Sequence, residues 1–237
     1  MRKLIGALMS LLLIGLSGVT TYVAAAAKDK DSEATPCNGT LLPGEYKDVI
    51  VPVNGTCFLT SVQVVDHNIY LDSNAYLFAY GTQVGHDIES IAPTAYIETR
   101  FGTSVGHDIS FKGPGGGVTI CSTTVGHDVT VEQAINFDAQ VGGVDDGGIG
   151  GGCGPNGGND IGHNLIVRDS TAAVETSNNN VGHNLELLDN HGSGGVPSGA
   201  HTVLNNQIDH ALICLDNNPP PVSAGNTAQK YEGQCQA

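Results

Sequence analysis

The chain has 237 residues, contains 33 Gly and no Trp, and carries a formal net charge of −15 at pH 7. A surface this acidic repels nucleic acid and other polyanions, so neither is expected as a partner. With only 5 Phe and 7 Tyr, the chain is also not expected to fold around a core of aromatic residues.

The first 27 residues have the layout of a signal peptide. Arg2 and Lys3 precede an uncharged run, Leu4 to Ala27, that ends in four Ala residues. We therefore predict cleavage near Lys28, an exported mature chain and no transmembrane segment after cleavage. A retained membrane anchor is the alternative, because the uncharged run is long enough to span a bilayer. Cleavage removes two of nine basic residues and leaves 24 acidic ones, a net charge of about −17.

Six Cys residues follow the leader. In an exported protein an even number of Cys indicates disulfides, and six Cys allow fifteen pairings. Their positions suggest three local pairs: Cys37–Cys57, Cys121–Cys153 and Cys214–Cys235. No two Cys have the spacing of a zinc knuckle or a thioredoxin-type site.

The chain repeats a pentad of the form Val/Ile-Gly-His-Asp/Asn-Ile/Val/Leu. Five nearly identical copies begin at Val84, Val105, Val125, Ile161 and Val181, and weaker copies lie at 65–69 and 208–212. Measured at the His position from Lys47 onward, the steps are 20, 19, 21, 20, 36, 20 and 27 residues. The period is therefore about 20 residues, and the two long steps carry insertions, a Gly-rich one at 141–159 and a shorter one near 191–198.

Short runs of β-branched residues, such as Ile109-Ser110-Phe111, alternate in each unit with Gly, Asn, Asp and Pro. A helical hairpin repeat would need about 33 residues. A 20-residue unit cannot bury its apolar side alone, but stacking on neighbours about 4.8 Å away completes the backbone hydrogen bonds. We therefore predict an all-β fold: a single-stranded right-handed parallel β-helix (β-solenoid) of about eight coils of about 20 residues, with disulfide-stapled caps.

The predicted organisation has four segments. The signal peptide covers 1–27, the N-terminal cap and first coil 28–57, the solenoid 58–213 with its insertion near 141–159, and the C-terminal cap 214–237. Caps are expected because the end coils of a stack would otherwise expose unpaired strand edges.

The pentads and the C-terminal segment together resemble a known group of proteins. That segment runs from Leu212-Ile213-Cys214 through Asn217-Asn218-Pro219 and Gly225-Asn226-Thr227 to Gly233-Gln234-Cys235. It is similar to the ends of exported bacterial parallel β-helix repeat proteins, whose Gly-Asn-Leu-type coils finish in a Pro-rich, Gly-Gln-Cys-terminated cap. The resemblance implies an exported solenoid and no particular activity. This chain departs from the group by placing His where a small residue is expected.

Equivalent residues of successive coils should stack in columns. We expect Gly-His-Asp/Asn to form a corner, in which Gly supplies a permissive backbone, Asp or Asn tolerates the left-handed conformation and bonds local amides, and His points outward. Stacked imidazoles that merely shield the corner are one interpretation. The other is a Zn²⁺, Cu²⁺ or Ni²⁺ site, although the spacing of about 4.8 Å between neighbouring coils is wide for two metal–nitrogen bonds to one ion. Its candidate ligands are His86, His107, His127, His163, His183, Asp87, Asp108 and Asp128.

Two further sites are considered. Asp138, Asp145, Asp146 and Asp160 lie in or beside the Gly-rich insertion, and they indicate either a Ca²⁺ site or a disulfide-tethered loop. Thr82, Thr103 and Thr123 form a short column that would suit ice binding if it lay on an exposed flat face.

No catalytic motif is found, and Arg100, Lys112 and Arg168 are too few cations for a lyase that acts on uronates. A hydrolase could use the Asp column, but a catalytic site is unique whereas these residues recur. We therefore predict a non-catalytic secreted or cell-surface protein with a structural, adhesive or glycan-binding role, whose partner is a glycan or cell-envelope component. A metal-binding protein that uses the His and Asp columns and a polysaccharide-active enzyme on a β-helix scaffold remain the alternatives.

Overall fold

The computed structural model describes residues 34–90, 92–93, 96–113, 116–135, 138–143, 153–154, 156–192 and 201–236. Every regular element in these ranges is a β-strand, and the chain winds through three parallel sheets, here called sheets A, B and C. The predicted parallel β-solenoid is thereby confirmed, and its right-handed sense stays a prediction. The leader, 1–27, lies outside the described residues.

Each coil contributes one strand to each sheet, in the order A, B, C. Sheet A has ten strands: Thr35–Pro36, Val49–Val51, Ile69–Leu71, Ile88–Ser90, Ile109–Phe111, Val129–Glu132, Leu165–Arg168, Leu185–Leu188, Ala211–Leu215 and Lys230–Gly233. Sheet B has nine: Gly39–Thr40, Thr56–Thr60, Tyr76–Tyr80, Tyr96–Arg100, Gly117–Ile120, Ala139–Gly142, Val174–Ser177, Thr202–Leu204 and Val222–Ala224. Sheet C has eight: Gly44–Tyr46, Gln63–Val65, Gln83–Val84, Ser104–Val105, Thr124–Val125, Asp160–Ile161, Asn180–Val181 and Gln207–Ile208.

The strands of a sheet pair in register one coil apart, so Ile88 lies between Ile69 and Ile109 in sheet A. The described residues form eight complete coils, followed by strands that extend sheets A and B to Gly233. Segments 28–57 and 214–237 therefore contribute strands of their own to the stack.

Alternate residues of most strands point into a continuous apolar core. In sheet A the inward residues Ile69 and Leu71 are followed one coil at a time by equivalent residues such as Ile109 and Phe111, all fully buried. Each such side chain contributes about 1.5–3 kcal/mol when it is removed from water. The period-2 pattern of β-branched residues is thus explained by strands that turn one face toward the core of the rod.

Inside the corners, buried side chains hydrogen-bond from coil to coil. Between sheets B and C, Asn179 Nδ2 donates to the Val141 carbonyl oxygen at 2.8 Å and to Asn206 Oδ1 at 3.0 Å. Between sheets A and B, Asn190 Nδ2 donates in the same way to the Val167 carbonyl at 3.0 Å and to Asn217 Oδ1 at 2.9 Å. These columns satisfy backbone carbonyl groups that a bend would otherwise leave buried without a partner.

The three predicted disulfides are confirmed: Cys37–Cys57, Cys121–Cys153 and Cys214–Cys235 are bonded, with sequence separations of 20, 32 and 21 residues. Closing loops of this length stabilises the fold by about 3 kcal/mol each in the chain-entropy model. Disulfides also indicate that the protein folds in an oxidising compartment.

Both insertions fall between strands of different sheets. The longer one lies between Ala139–Gly142 of sheet B and Asp160–Ile161 of sheet C, and the shorter one between Leu185–Leu188 of sheet A and Thr202–Leu204 of sheet B. In the part of the chain that the structure describes, no helix is long and apolar enough to cross a membrane.

Candidate functional site

Six aromatic side chains form a cluster on the outside of sheet B. We call this cluster the aromatic face; it consists of Phe58, Tyr76, Phe78, Tyr80, Tyr96 and Phe101. Phe58 and Phe78 stack with ring centroids 4.9 Å apart, and Phe78 lies 5.9 Å from Tyr96. Tyr80 contacts Phe101 edge to face at 5.5 Å. Phe78 also lies 6.4 Å from Tyr80, so five of the rings form one connected network across three coils, and Tyr76 lies beside Tyr96 in the neighbouring strand.

Phe101 is held on this surface by a strained backbone. It has φ of 57° and is 74% exposed, an unusual combination for a bulky apolar residue. In the preceding coil Gly81 alone joins Tyr80 to Thr82, whereas Phe101 and Gly102 together join Arg100 to Thr103. Phe101 is thus an extra residue that bulges out of a regular coil and exposes its ring to solvent.

Polar groups border the aromatic face on one side. Tyr80 Oη donates to Glu98 Oε1 at 2.8 Å, and Arg100 Nε donates to the same oxygen at 2.6 Å. Burial, followed by the Glu98 carboxylate, raises the pKa of the Tyr80 hydroxyl, and burial raises the pKa of Tyr96 to about 12. Both hydroxyls therefore stay protonated and keep their hydrogen-bonding capacity at physiological pH.

The aromatic face is confined to one end of sheet B. Its outward column begins with Phe58 and Phe78 and continues, one residue per coil, through buried polar residues. Those residues are Glu98, Thr119, Gln140 and Glu175. The sequence contains a signal for this cluster. When residues 56–60 and 76–80 are aligned by the pentad repeat, their aromatic residues fall at positions that alternate with the inward Leu residues, and therefore on the outer face of the strands.

The pentads form the corner between sheets C and A, and their His rings stack along its outer edge. His67, His86, His107 and His127 form a lower stack, and His163, His183 and His210 form an upper stack. Neighbouring ring centroids within each stack lie 4.7 to 5.2 Å apart. Where the stacks meet, His163 Nδ1 lies 3.0 Å from Asp128 Oδ1.

The Asp/Asn column beside them fastens each coil to the next. From Asp48 to Asn184, each Oδ1 accepts a hydrogen bond at 2.8 to 3.2 Å from the backbone amide at the same position of the following coil. Asp87, Asp108 and Asp128 thus repeat one structural contact. This supports a structural role for the three carboxylates rather than a single catalytic constellation.

The expected reason for Gly in the pentad is wrong. None of the five pentad Gly residues, nor the Asp or Asn two residues later, has a positive φ; the left-handed residues lie at the other two corners, for example Asn178 and Asp189. Gly is needed because a Cβ on Gly85 would lie 1.9 Å from the Asp66 carbonyl oxygen, and a Cβ on Gly182 would lie 2.3 Å from that of Gly162. Coil stacking, rather than backbone freedom, selects Gly here.

The predicted metal ligands are distributed along two columns. His86, His107, His127, His163 and His183 lie in one column, and Asp87, Asp108 and Asp128 in the other. Among the described residues, no group of three or more His, Cys, Asp and Glu converges as the ligands of one metal ion would. Neighbouring His rings are stacked in parallel, about one coil spacing apart. Their nitrogens are therefore too far apart to bind one metal ion unless the rings move.

The structure describes only part of the Gly-rich insertion, and it buries the Thr column. Asp145 and Asp146 lie outside the described residues, and Asn159, at the end of the predicted loop, is buried with Nδ2 donating to the Ile120 carbonyl at 2.9 Å. Thr82, Thr103 and Thr123 are buried in the corner between sheets B and C, so they do not form the exposed flat face that ice binding would require.

One histidine outside the pentads lies in the core. His201 occupies the inward position of sheet B that Val174 holds in the preceding coil, and it is fully buried. Neither ring nitrogen has a hydrogen-bond partner among the described residues. Burial lowers the pKa of His201, and nearby backbone groups of Asn190 and Asn218 oppose this shift only in part. The sequence sets His201 apart from the pentad His residues but gives no sign that it is buried.

Comparison of the chain with protein-family models, with curated proteins and with solved structures finds no match.

Proposed function

We propose that this protein is an exported, non-catalytic β-solenoid that binds a neutral glycan on its aromatic face. Export is supported by the leader-like N-terminus and by the three disulfides. The observation that carries the binding role is Phe101, whose ring is exposed by a strained bulge next to Tyr80. Strained backbone conformations of this kind cluster at binding and catalytic sites.

The chemistry of the aromatic face suits a sugar. A pyranose presents a face of C–H groups with partial positive charge, which pack on the negative face of an aromatic ring, while its hydroxyls point outward at the rim. Phe58, Phe78 and Phe101 offer the rings, and Tyr80, Glu98 and Arg100 offer polar groups beside them. Exposed apolar patches with a polar rim are typical of binding sites.

Charge favours a neutral glycan over an acidic one. The mature chain has a net charge of about −17, which opposes approach of a polyuronate or sulfated polymer. Arg100, a cation at the aromatic face, is already paired with Glu98. A neutral polysaccharide avoids this repulsion and can contact several rings at once, so its affinity can rise with chain length.

A binding role is favoured over catalysis by the geometry of the carboxylates. Asp87, Asp108 and Asp128 repeat the same backbone contact, and Glu98 is paired with Arg100 and bonded to Tyr80. A glycosidase needs two carboxyl groups in different environments on either side of the scissile bond.

Affinity electrophoresis of the mature protein tests the proposal. The gels would contain hydroxyethylcellulose, galactomannan or soluble starch, with polygalacturonate as the anionic comparison. We expect retardation in at least one neutral polymer and none in polygalacturonate. Phe101→Ala should weaken the binding about tenfold, because a central aromatic side chain commonly supplies 1–2 kcal/mol or more.

Val222→Ala is the matched control for Phe101→Ala. Val222 is 54% exposed and lies in the same outward column as Phe58 and Phe78, at the opposite end of sheet B. Its substitution should leave retardation unchanged. The proposal is wrong if no neutral polymer retards the protein, or if Phe101→Ala and Val222→Ala behave alike.

A further inference from the structure

The last strand of sheet A leaves one edge open. Lys230–Gly233 pairs with Ala211–Leu215 on one side, and no strand of the described residues lies on its other side. Lys230 N donates to the His210 carbonyl oxygen at 3.1 Å, so the backbone of Lys230 bonds to the neighbouring coil. Successive residues of a strand direct their amide and carbonyl groups to opposite sides, so those of Tyr231 point out of the stack. An open edge of this kind can pair with a strand of another chain.

The opposite edge of sheet A is protected by a proline. In the first described strand, Thr35–Pro36, the amides of Thr35 and Cys37 both donate to carbonyl oxygens of the next coil at 2.8 Å. The residue whose amide would point out of the stack is therefore Pro36, which has no N–H to donate. Natural proteins commonly protect edge strands in this way. Of these two edges, the C-terminal one thus offers both a donor and an acceptor at the outward position.

The charges on the last strand favour a second copy of the same strand as its partner. Lys230 and Glu232 lie on either side of Tyr231, and their side chains form an ion pair with each other on the outer face of the sheet. An antiparallel two-fold pair centred on Tyr231 would place Lys230 of each copy directly opposite Glu232 of the other. Two opposite-charge contacts would stabilise that pair, whereas a parallel pair in register would bring like charges together.

The backbone geometry agrees with the same arrangement. In an antiparallel pair, residues that exchange two hydrogen bonds alternate with residues that exchange none and whose side chains lie closer together. With the two-fold axis at Tyr231, the outward amide and carbonyl of Tyr231 bond to those of the same residue in the second copy. Lys230 and Glu232, whose backbone groups are directed toward the neighbouring coil, then form the close pairs. One register therefore satisfies the backbone and the charges together.

The rest of the terminal coil can join this contact. Sheet B ends at Val222–Ala224, where Val222 is 54% exposed. Tyr231 packs against the end of the core, and its hydroxyl donates to the Asn226 carbonyl oxygen at 2.9 Å. A face of one coil, about 20 residues, is at the lower end of the size of specific interfaces, so we expect micromolar affinity. The acidic net charge opposes association, but salt at about 0.15 M screens exposed charges more than about 8 Å apart.

We propose that this protein forms a symmetric end-to-end dimer in which the Lys230–Gly233 strands of two copies pair antiparallel about Tyr231 and join their A sheets. The contact is closed, because the same edge of each copy is used and no C-terminal edge of sheet A is left for further growth. The aromatic face lies near the other end of the rod, so both copies keep it accessible, and the proposal does not rest on glycan binding.

Sedimentation-velocity ultracentrifugation of the mature protein, in about 0.15 M NaCl and at up to about 100 μM protein, tests the proposal. We expect the wild type to dimerise reversibly. Lys230→Glu and Glu232→Lys each place like charges opposite one another twice, so each should weaken the dimer at least about tenfold. An equimolar mixture of the two variants should dimerise again, because a strand with two carboxylates then meets a strand with two ammonium groups. Lys47→Glu, the same charge change at an exposed position near the N-terminal end, should dimerise as the wild type does.

The mixture protects the test against misfolding, because two damaged variants would not restore association, and thermal unfolding verifies each fold. A wild type that stays monomeric at about 100 μM would overturn the proposal. So would a dimer of unchanged affinity in both single variants, a mixture of folded variants that stays monomeric, or an equal loss in Lys47→Glu. Assemblies longer than two copies would also contradict it, since they need a second kind of contact. Hydrogen exchange of the Tyr231 amide should slow as the protein concentration rises.

Discussion

Gly106 lies so close to Gly85 in the neighbouring coil that a Cβ on Gly106 would meet the Gly85 carbonyl oxygen at 1.9 Å. The same relationship recurs between Gly126 and Gly106 at 2.0 Å and between Gly162 and Gly126 at 2.1 Å. The oxygens at this corner are thus packed against bare Cα atoms of the next coil. A side chain at one of these Gly positions would push two neighbouring coils apart.

Gly106→Ala should therefore lower the free energy of unfolding by about 3 kcal/mol, because overpacking in a rigid stack forces the backbone to move. Gly102→Ala is the comparison, since Gly102 has φ of +78° but no atom within 4 Å of its added Cβ. That variant should lose only about 1 kcal/mol, from backbone strain. Urea unfolding of the two variants measures both values. A loss in Gly106→Ala no larger than that in Gly102→Ala would contradict the claim that contact with the Gly85 carbonyl selects Gly in the pentad.

The period of the pentads was sufficient to predict the fold. A repeat of about 20 residues with apolar positions two apart allows few structures other than stacked coils, and the spacing of the six Cys within that repeat predicted all three disulfides. The fold and the disulfides both follow from the regular spacing of residues along the chain, which a single sequence shows directly.

Features that depend on contacts between coils were not predicted. The role of Gly85 depends on how close the neighbouring carbonyl lies, and the burial of Asn179 depends on which way a corner residue turns. The aromatic face was missed because Phe58, Phe78 and Phe101 come from three coils and one of them lies in a bulge that interrupts the repeat. The burial of His201 follows from strand register, which composition does not reveal.

The buried Asn column makes a second prediction. Asn179→Ala would remove the side-chain donor of the Val141 carbonyl and one of the two hydrogen bonds that Asn159 Nδ2 donates, the other going to the Ile120 carbonyl. The change should lower the free energy of unfolding by about 2–4 kcal/mol. Asn180→Ala, at the exposed neighbouring position, should change it by less than about 0.5 kcal/mol. Urea unfolding tests the pair, and a small effect of Asn179→Ala would mean that water can replace its hydrogen bonds.

His201 makes stability depend on pH. Because its folded pKa is lowered, the unfolded chain binds a proton that the folded chain does not, so the folded state loses stability as the pH falls below about 6.5. The loss should approach about 1.4 kcal/mol for each pH unit until the folded pKa is reached.

His201→Val, which copies Val174 of the preceding coil, should remove this contribution. The free energies of unfolding of the wild type and the variant should therefore diverge between pH 6.5 and pH 5, with the variant less sensitive to acid. His107→Gln, on the exposed corner, should keep the steep dependence of the wild type. Parallel curves for the wild type and His201→Val would show that folding does not lower the pKa of His201.

Tyrosine fluorescence measures binding at the aromatic face most directly, because the chain has no Trp and three of its seven Tyr, namely Tyr76, Tyr80 and Tyr96, lie on that face. The mature protein would be titrated with neutral hexasaccharides of glucose, mannose and N-acetylglucosamine, and with hexagalacturonate. We predict a saturable change in Tyr emission with at least one neutral hexasaccharide and none with hexagalacturonate. The change should be lost in the double variant Phe58→Ala, Phe101→Ala and kept in Val222→Ala. Absence of a saturable change with every neutral hexasaccharide, or an unchanged response in the double variant, would contradict the account.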